Sequence, residues 1–152
     1  MRKISIIGVL IGGVADILAT NVAAIPIVVY VMATSPNLAT LPQAQQTAAV
    51  MAAIQANVGI YLTLGVLGAI CSVLGGYVAA LIAKRAQVLN GALSAYLCIG
   101  SGIWALFAGH EQLPIWLHIL LLPLSPGLGA AGGYLRALQL RRRAQVALTG
   151  AA

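Results

Sequence analysis

Between Lys3 and Lys84 a single formal charge, the carboxyl of Asp16, interrupts an otherwise uncharged and largely apolar chain. Water-soluble domains are not built this way. A soluble fold of 152 residues needs a charged skin, and eight basic and two acidic side chains beside 61% hydrophobic residues do not supply one. Roughly 20 apolar residues at a rise of about 1.5 Å cross a hydrocarbon core of about 30 Å. Four stretches meet that length: 4–33, 58–83, 88–108 and 113–140. A closed β-barrel would alternate apolar and polar residues, and runs such as IVVYVMA and HILLLPL do not. The expected fold class is all-α: an integral membrane four-helix bundle, one transmembrane domain over 1–152.

The basic residues sharpen this expectation. Arg2 and Lys3 precede the first stretch, Lys84 and Arg85 separate the second from the third, and Arg136 and Arg141–Arg143 close the fourth. Four spans put all of them on one side, which by the positive-inside rule places both termini in the cytoplasm and 34–57 outside. The net charge of +6 is thereby read as a match to the lipid bilayer and its anionic headgroups, with no nucleic-acid partner expected. The opening MRK, IIGVLIGGVA and ATNVAA have the outline of a secretory signal. Asp16 and the apolar run resuming from Ile25 to Ala33 favour a retained first helix. Cys71 and Cys98 lie inside spans and read as small packing residues.

Connections carry their own signals. Pro36 in TSPN ends the first helix, and Thr40-Leu41-Pro42-Gln43 reads as a capping box with proline in the first turn. Val50, Met51, Ile54 and Val58 then recur at helical spacing. Either helix two starts near Leu41, or a short surface helix precedes it. Tyr30, Tyr61, Trp104 and Trp116 fall near the outer boundary as an aromatic belt. Pro123 and Pro126, followed by Gly127 and Gly129, predict a kink or unwound segment in helix four.

Small residues form rows at i+4 spacing: Gly68, Ser72, Gly76 and Ala80 in helix two, Ser94, Cys98 and Gly102 in helix three, and Ser125, Gly129, Gly133 and Ala137 in helix four. Such rows let helix backbones approach closely in lipid. In helix one the row is Gly8, Gly12, Asp16, Thr20 and Ala24, so the acid shares a face with glycines. About twelve residues, or roughly 18 Å, from each cytoplasmic end, the count meets Asp16, Ser72, Ser101 and Gly129. Ser72 and Ser101 are the expected hydrogen-bond partners of Asp16, with Thr20 and Asn21 completing an intramembrane polar site. A bonded Asp16 would clamp helices together; a titrating one would serve a proton or cation path.

His110, Glu111 and His118 carry metal-ligating chemistry without an HExxH or a cysteine partner, and no metal site is expected from them. No phosphate loop, nucleophile elbow or carboxylate pair points to an enzyme or a cofactor.

The segments LGGYVAALIAKR (74–85) and AGGYLRALQLRR (131–142) echo each other, which is compatible with a duplicated two-helix hairpin. The Gly75-Gly76-Tyr77, Ala80, Lys84-Arg85 pattern that ends helix two resembles one in small, uncharacterised four-helix bacterial membrane proteins. That resemblance implies a plasma-membrane location, a bacterial inner membrane, and no particular activity. The expected role is a helix-packing or interaction module, a homo-oligomer or an accessory subunit of another membrane protein. The alternative is a small proton- or cation-linked transporter or channel using Asp16.

Overall fold

The computed structural model describes residues 4–107 and 124–149. The described chain is entirely helical outside its turns: α1 (Ile6–Thr34), α2 (Pro36–Ala39), α3 (Gln43–Ala56), α4 (Val58–Ala83), α5 (Gln87–Phe107) and α6 (Leu124–Thr149). The all-α expectation stands, but the four-helix bundle does not, because six helices occur among the described residues. The difference lies in the stretch expected as the loop 34–57. Pro36 opens α2, a position that needs no backbone donor. Pro42, with φ −54° and ψ 141°, separates α2 from α3. Asn57 turns extended at φ −105° and ψ 100°, and its side chain accepts the Ile60 N–H at 3.2 Å to cap α4.

The expected capping box is therefore absent. Thr40 is the C-cap of α2, and its hydroxyl donates to the Asn37 carbonyl at 2.8 Å. The helix-former run after Pro42 makes a helix of its own, and Val50 and Ile54 bury its inner face against Val31 of α1, with Ile27, Ile60 and Leu64 around them. This is the largest aliphatic cluster among the described residues, and it sits where α3 crosses α1 and α4.

Elsewhere the packed surfaces are small. α4 and α5 touch each other and both touch α1 and α6, while α1 and α6 do not meet. Helices α1 and α4 run antiparallel, with Gly8 against Ala79 and Asp16 against Gly75. The large side chains point the other way: Ile7, Leu18 and Val22 of α1 are 66%, 60% and 64% exposed. Helices α1 and α4 are both long and apolar enough to cross a membrane.

Three Gly-Gly pairs organise this packing. Adjacent residues lie about 100° apart around a helix, so a pair presents bare backbone to two neighbours at once. A methyl group at Gly12 would stand 2.5 Å from Ala79 Cβ on α4, and one at Gly13 would stand 2.5 Å from Leu97 on α5. Gly75 faces the Asp16 Cβ on α1, while Gly76 lies against the backbone of Gly129 on α6. Gly132 meets Val73 and Tyr77 on α4, and Gly133 meets Gln87 and Val88 on α5. Each pair is thus shared between two interfaces.

The described part of helix four begins at Leu124. Pro126 falls in the first turn of α6, where its missing N–H has no intrahelical acceptor to lose; the expected interruption around Pro123 lies outside the described residues. The helix also continues beyond 140 to Thr149, with Arg141–Arg143 on an exposed end. Pro123, Trp116, His110, Glu111 and His118 lie outside the described residues.

The α4–α5 turn is tight. Lys84 and Ala86 both take positive φ, 57° and 46°, a conformation costing an L-residue about 1–2 kcal/mol. Asn90, fully buried, holds it: its amide donates to the Arg85 and Ala86 carbonyls at 3.0 Å, and its Oδ1 accepts the Ser5 N–H at 2.8 Å. Because Lys84 is an αL helix cap, Lys84→Gly is expected to raise stability by about 1 kcal/mol. A higher thermal midpoint in detergent would register it, and a lower one would contradict the strain.

Candidate functional site

Asp16 stands a turn beyond the Gly12-Gly13 pair, at the point where α1 meets α4 and α5. It is 3% exposed. Close approach is possible because Gly75 has no side chain: a methyl there would lie 2.6 Å from the Asp16 Cβ. The carboxyl accepts from three side chains. Thr20 on its own helix donates to Oδ1 at 3.4 Å, Ser72 on α4 donates to the same oxygen at 3.3 Å, and the Cys98 thiol on α5 donates to Oδ2 at 3.1 Å. The two hydroxyl contacts are long for O–H···O bonds, so the cluster is satisfied but loosely held.

A cavity of about 290 Å³ opens beside the carboxyl, lined by Asp16, Ile17, Thr20, Asn21, Gly68, Ser72 and Cys98. Gly68 makes room for it, since a methyl group at Gly68 would touch nothing within 4 Å. Among the described residues no lysine or arginine lines this cavity, and its polar atoms are one carboxyl, hydroxyls, a thiol and an amide. That set suits a hydrogen-bonding or small cationic guest. Among the described residues no group of three His, Cys, Asp or Glu stands close enough to hold a metal ion.

Of the residues picked from sequence, Asp16, Thr20 and Ser72 come together. Asn21 lines the cavity but turns its amide to the Ile17 carbonyl at 2.8 Å. Ser101 belongs to α5, and its side chain lies outside the described residues. Cys98, read as a packing residue, is instead the α5 donor, about one turn from the expected Ser101. Its place in the Ser94–Cys98 row was the available signal, because a thiol can donate.

Among the packing glycines, Gly8, Gly12, Gly76, Gly129 and Gly133 each lie against a neighbouring helix. Gly68 does not: it lines the cavity, because its direction on α4 points between α1 and α5 where no backbone comes near. Gly13, Gly75 and Gly132 were missed, although the doubled glycines themselves were the signal. No protein-family model, curated protein or solved structure matches the chain.

Proposed function

We propose that this chain is a multi-pass plasma-membrane protein, in a bacterial inner membrane with both termini cytoplasmic. Its proposed role is that of a helix-packing and interaction module, an accessory subunit for a second copy or for another membrane protein. The inside-out residue distribution supports the membrane part: glycine, alanine and serine within, aliphatic side chains without. The observation that carries the packing role is the Asp16 carboxyl bonded from its own helix, α4 and α5 together.

Magnitudes decide what such a clamp does. A carboxyl at mid-bilayer costs about 2.5–3.5 kcal/mol. Side-chain hydrogen bonds in a membrane interior are worth about 0.6 kcal/mol each, so three of them offset about 2 kcal/mol of it. The cluster therefore adds little net stability. Its value is in register, because only one rotation and translation of α1 places the carboxyl among its donors. Asp16→Ala is expected to change stability by no more than about 1.5 kcal/mol while raising amide hydrogen exchange along α1. A loss of several kcal/mol would mean that the clamp is a stabiliser.

The cavity favours a second reading, a small proton- or cation-linked transporter using Asp16. Flux assays in proteoliposomes separate the two. The packing role expects none driven by a pH or monovalent-cation gradient. Gradient-driven flux that Asp16→Asn abolishes would overturn it in favour of transport.

A further inference from the structure

We infer that the groove between α4 and α6 is a binding site for one anionic phospholipid, its phosphate at the arginine end of the groove and an acyl chain along the rest; this rests on the membrane reading above.

The headgroup end is a cavity of about 280 Å³ lined by Tyr77, Leu135, Leu138, Gln139 and Arg142. Its polar side chains are tied together. Tyr77 donates its hydroxyl to Gln139 Oε1 at 2.6 Å, and Arg136 donates from Nη1 to the same oxygen at 3.3 Å. The Arg136 guanidinium also sits 6.0 Å from the Tyr77 ring centroid, within cation–π range. Gln139 thus holds Arg136 on the same side of the groove as Arg142.

Among the described residues the one acidic side chain is Asp16, and it is bonded between α1, α4 and α5 rather than to these arginines. Arg142 beside Leu135 and Leu138, with Arg136 tied to Gln139 at the same cavity, matches a phosphate attached to something greasy.

The same pair of helices carries a second, apolar cavity. Farther along α4 and α6, this cavity of about 340 Å³ is lined by Val66, Ala69, Ile70, Val73, Leu74 and Leu128. Val66, Ile70, Val73 and Tyr77 follow one another at helical spacing, so both cavities lie on one face of α4. From Tyr77 to Val66 is about 16 Å at helical rise, roughly half of a 30 Å hydrocarbon core. An acyl chain of one leaflet has that reach. A free phosphate would use only the arginine end.

The test is native mass spectrometry of the full chain from detergent micelles holding equal phosphatidylglycerol and phosphatidylcholine. Wild type is expected to retain one phosphatidylglycerol with roughly tenfold preference, and the Arg136→Gln/Arg142→Gln variant to lose that preference. Arg141→Gln/Arg143→Gln removes the same charge from residues outside both the cavity lining and the Tyr77–Gln139–Arg136 network, and should keep most of it. Equal loss in both variants would reduce the effect to surface charge and overturn the site. Glycerol phosphate competing as well as the lipid would show a phosphate site without an acyl groove, and would equally overturn the inference. Vesicle flotation keeps the two proposals apart. A chain that fails to float with vesicles refutes the membrane reading, whereas one that floats without lipid preference refutes this site alone.

Discussion

Replacing Gly76 with valine is expected to cost about 3 kcal/mol, the upper part of the usual range for overpacking, and to pry α4 from α6. The first methyl group alone would stand 2.7 Å from the Gly129 Cα, with the Gly129 carbonyl closer still. These neighbours are backbone. A crowded side chain can change rotamer, but a helix backbone moves only with the whole helix. Displacing α6 would also disturb Gly129 against Gly91 and Gly133 against Val88, so α5 would be pulled as well. Gly68→Ala is the matched control on the same helix. Nothing lies within 4 Å of a methyl there, and removing a glycine from a helix interior gains about 0.5–1 kcal/mol. Unfolding in mixed detergent micelles should separate the two variants by about 4 kcal/mol. Equal behaviour would mean that the close α4–α6 approach does not hold the fold together.

Asn90→Ala is the second large effect, expected at about 3 kcal/mol. Asn90 is fully buried and joins three pieces of backbone: the Ser5 N–H ahead of α1 and the Arg85 and Ala86 carbonyls in the turn. Truncation leaves the Ser5 N–H and the Arg85 carbonyl without this partner, at about 1–3 kcal/mol for each group that stays dry, while the Ala86 carbonyl keeps the Asn90 backbone N–H at 3.0 Å. Water reaching the turn would satisfy part of that, so the sum is below two full penalties. The strained Lys84 and Ala86 conformations would also lose their brace. Because the brace holds Lys84 in its strained conformation, Lys84→Gly should add less than about 1 kcal/mol in the Asn90→Ala background. A full, additive gain of about 1 kcal/mol would uncouple the turn from its brace.

Much of the site could be read in the chain because its signals are local. Helical spacing puts Asp16 on the same face as Gly8 and Gly12, and Thr20 one turn on. The depth count from the charged ends brings Ser72 to the same level. Such an argument tells which residues share a face of one helix. It does not tell how far the neighbouring helix is rotated. A rotation of about 100° is one residue, which is enough to decide which of Gly75 and Gly76 faces α1 and which faces α6. The outer stretch had the same weakness. Its helix formers were legible, but whether they lengthened α4 or folded separately depended on Asn57 and on a place for Val50 and Ile54 to bury.

Taken by itself, the sequence determined that the chain is helical, that its surface lacks the charge of a soluble domain, and that its one acid before Lys84 lies on a glycine face. Those properties follow from composition and from the 3.6-residue period, which every segment carries within itself. Only the tertiary structure decided the number of helices among the described residues, the division of each Gly-Gly pair between two neighbours, the thiol as a partner of Asp16, and the cavity beside it. These depend on the relative rotation and offset of separate helices. That choice is made by backbone contact across the interface and leaves no mark in the periodicity of either helix.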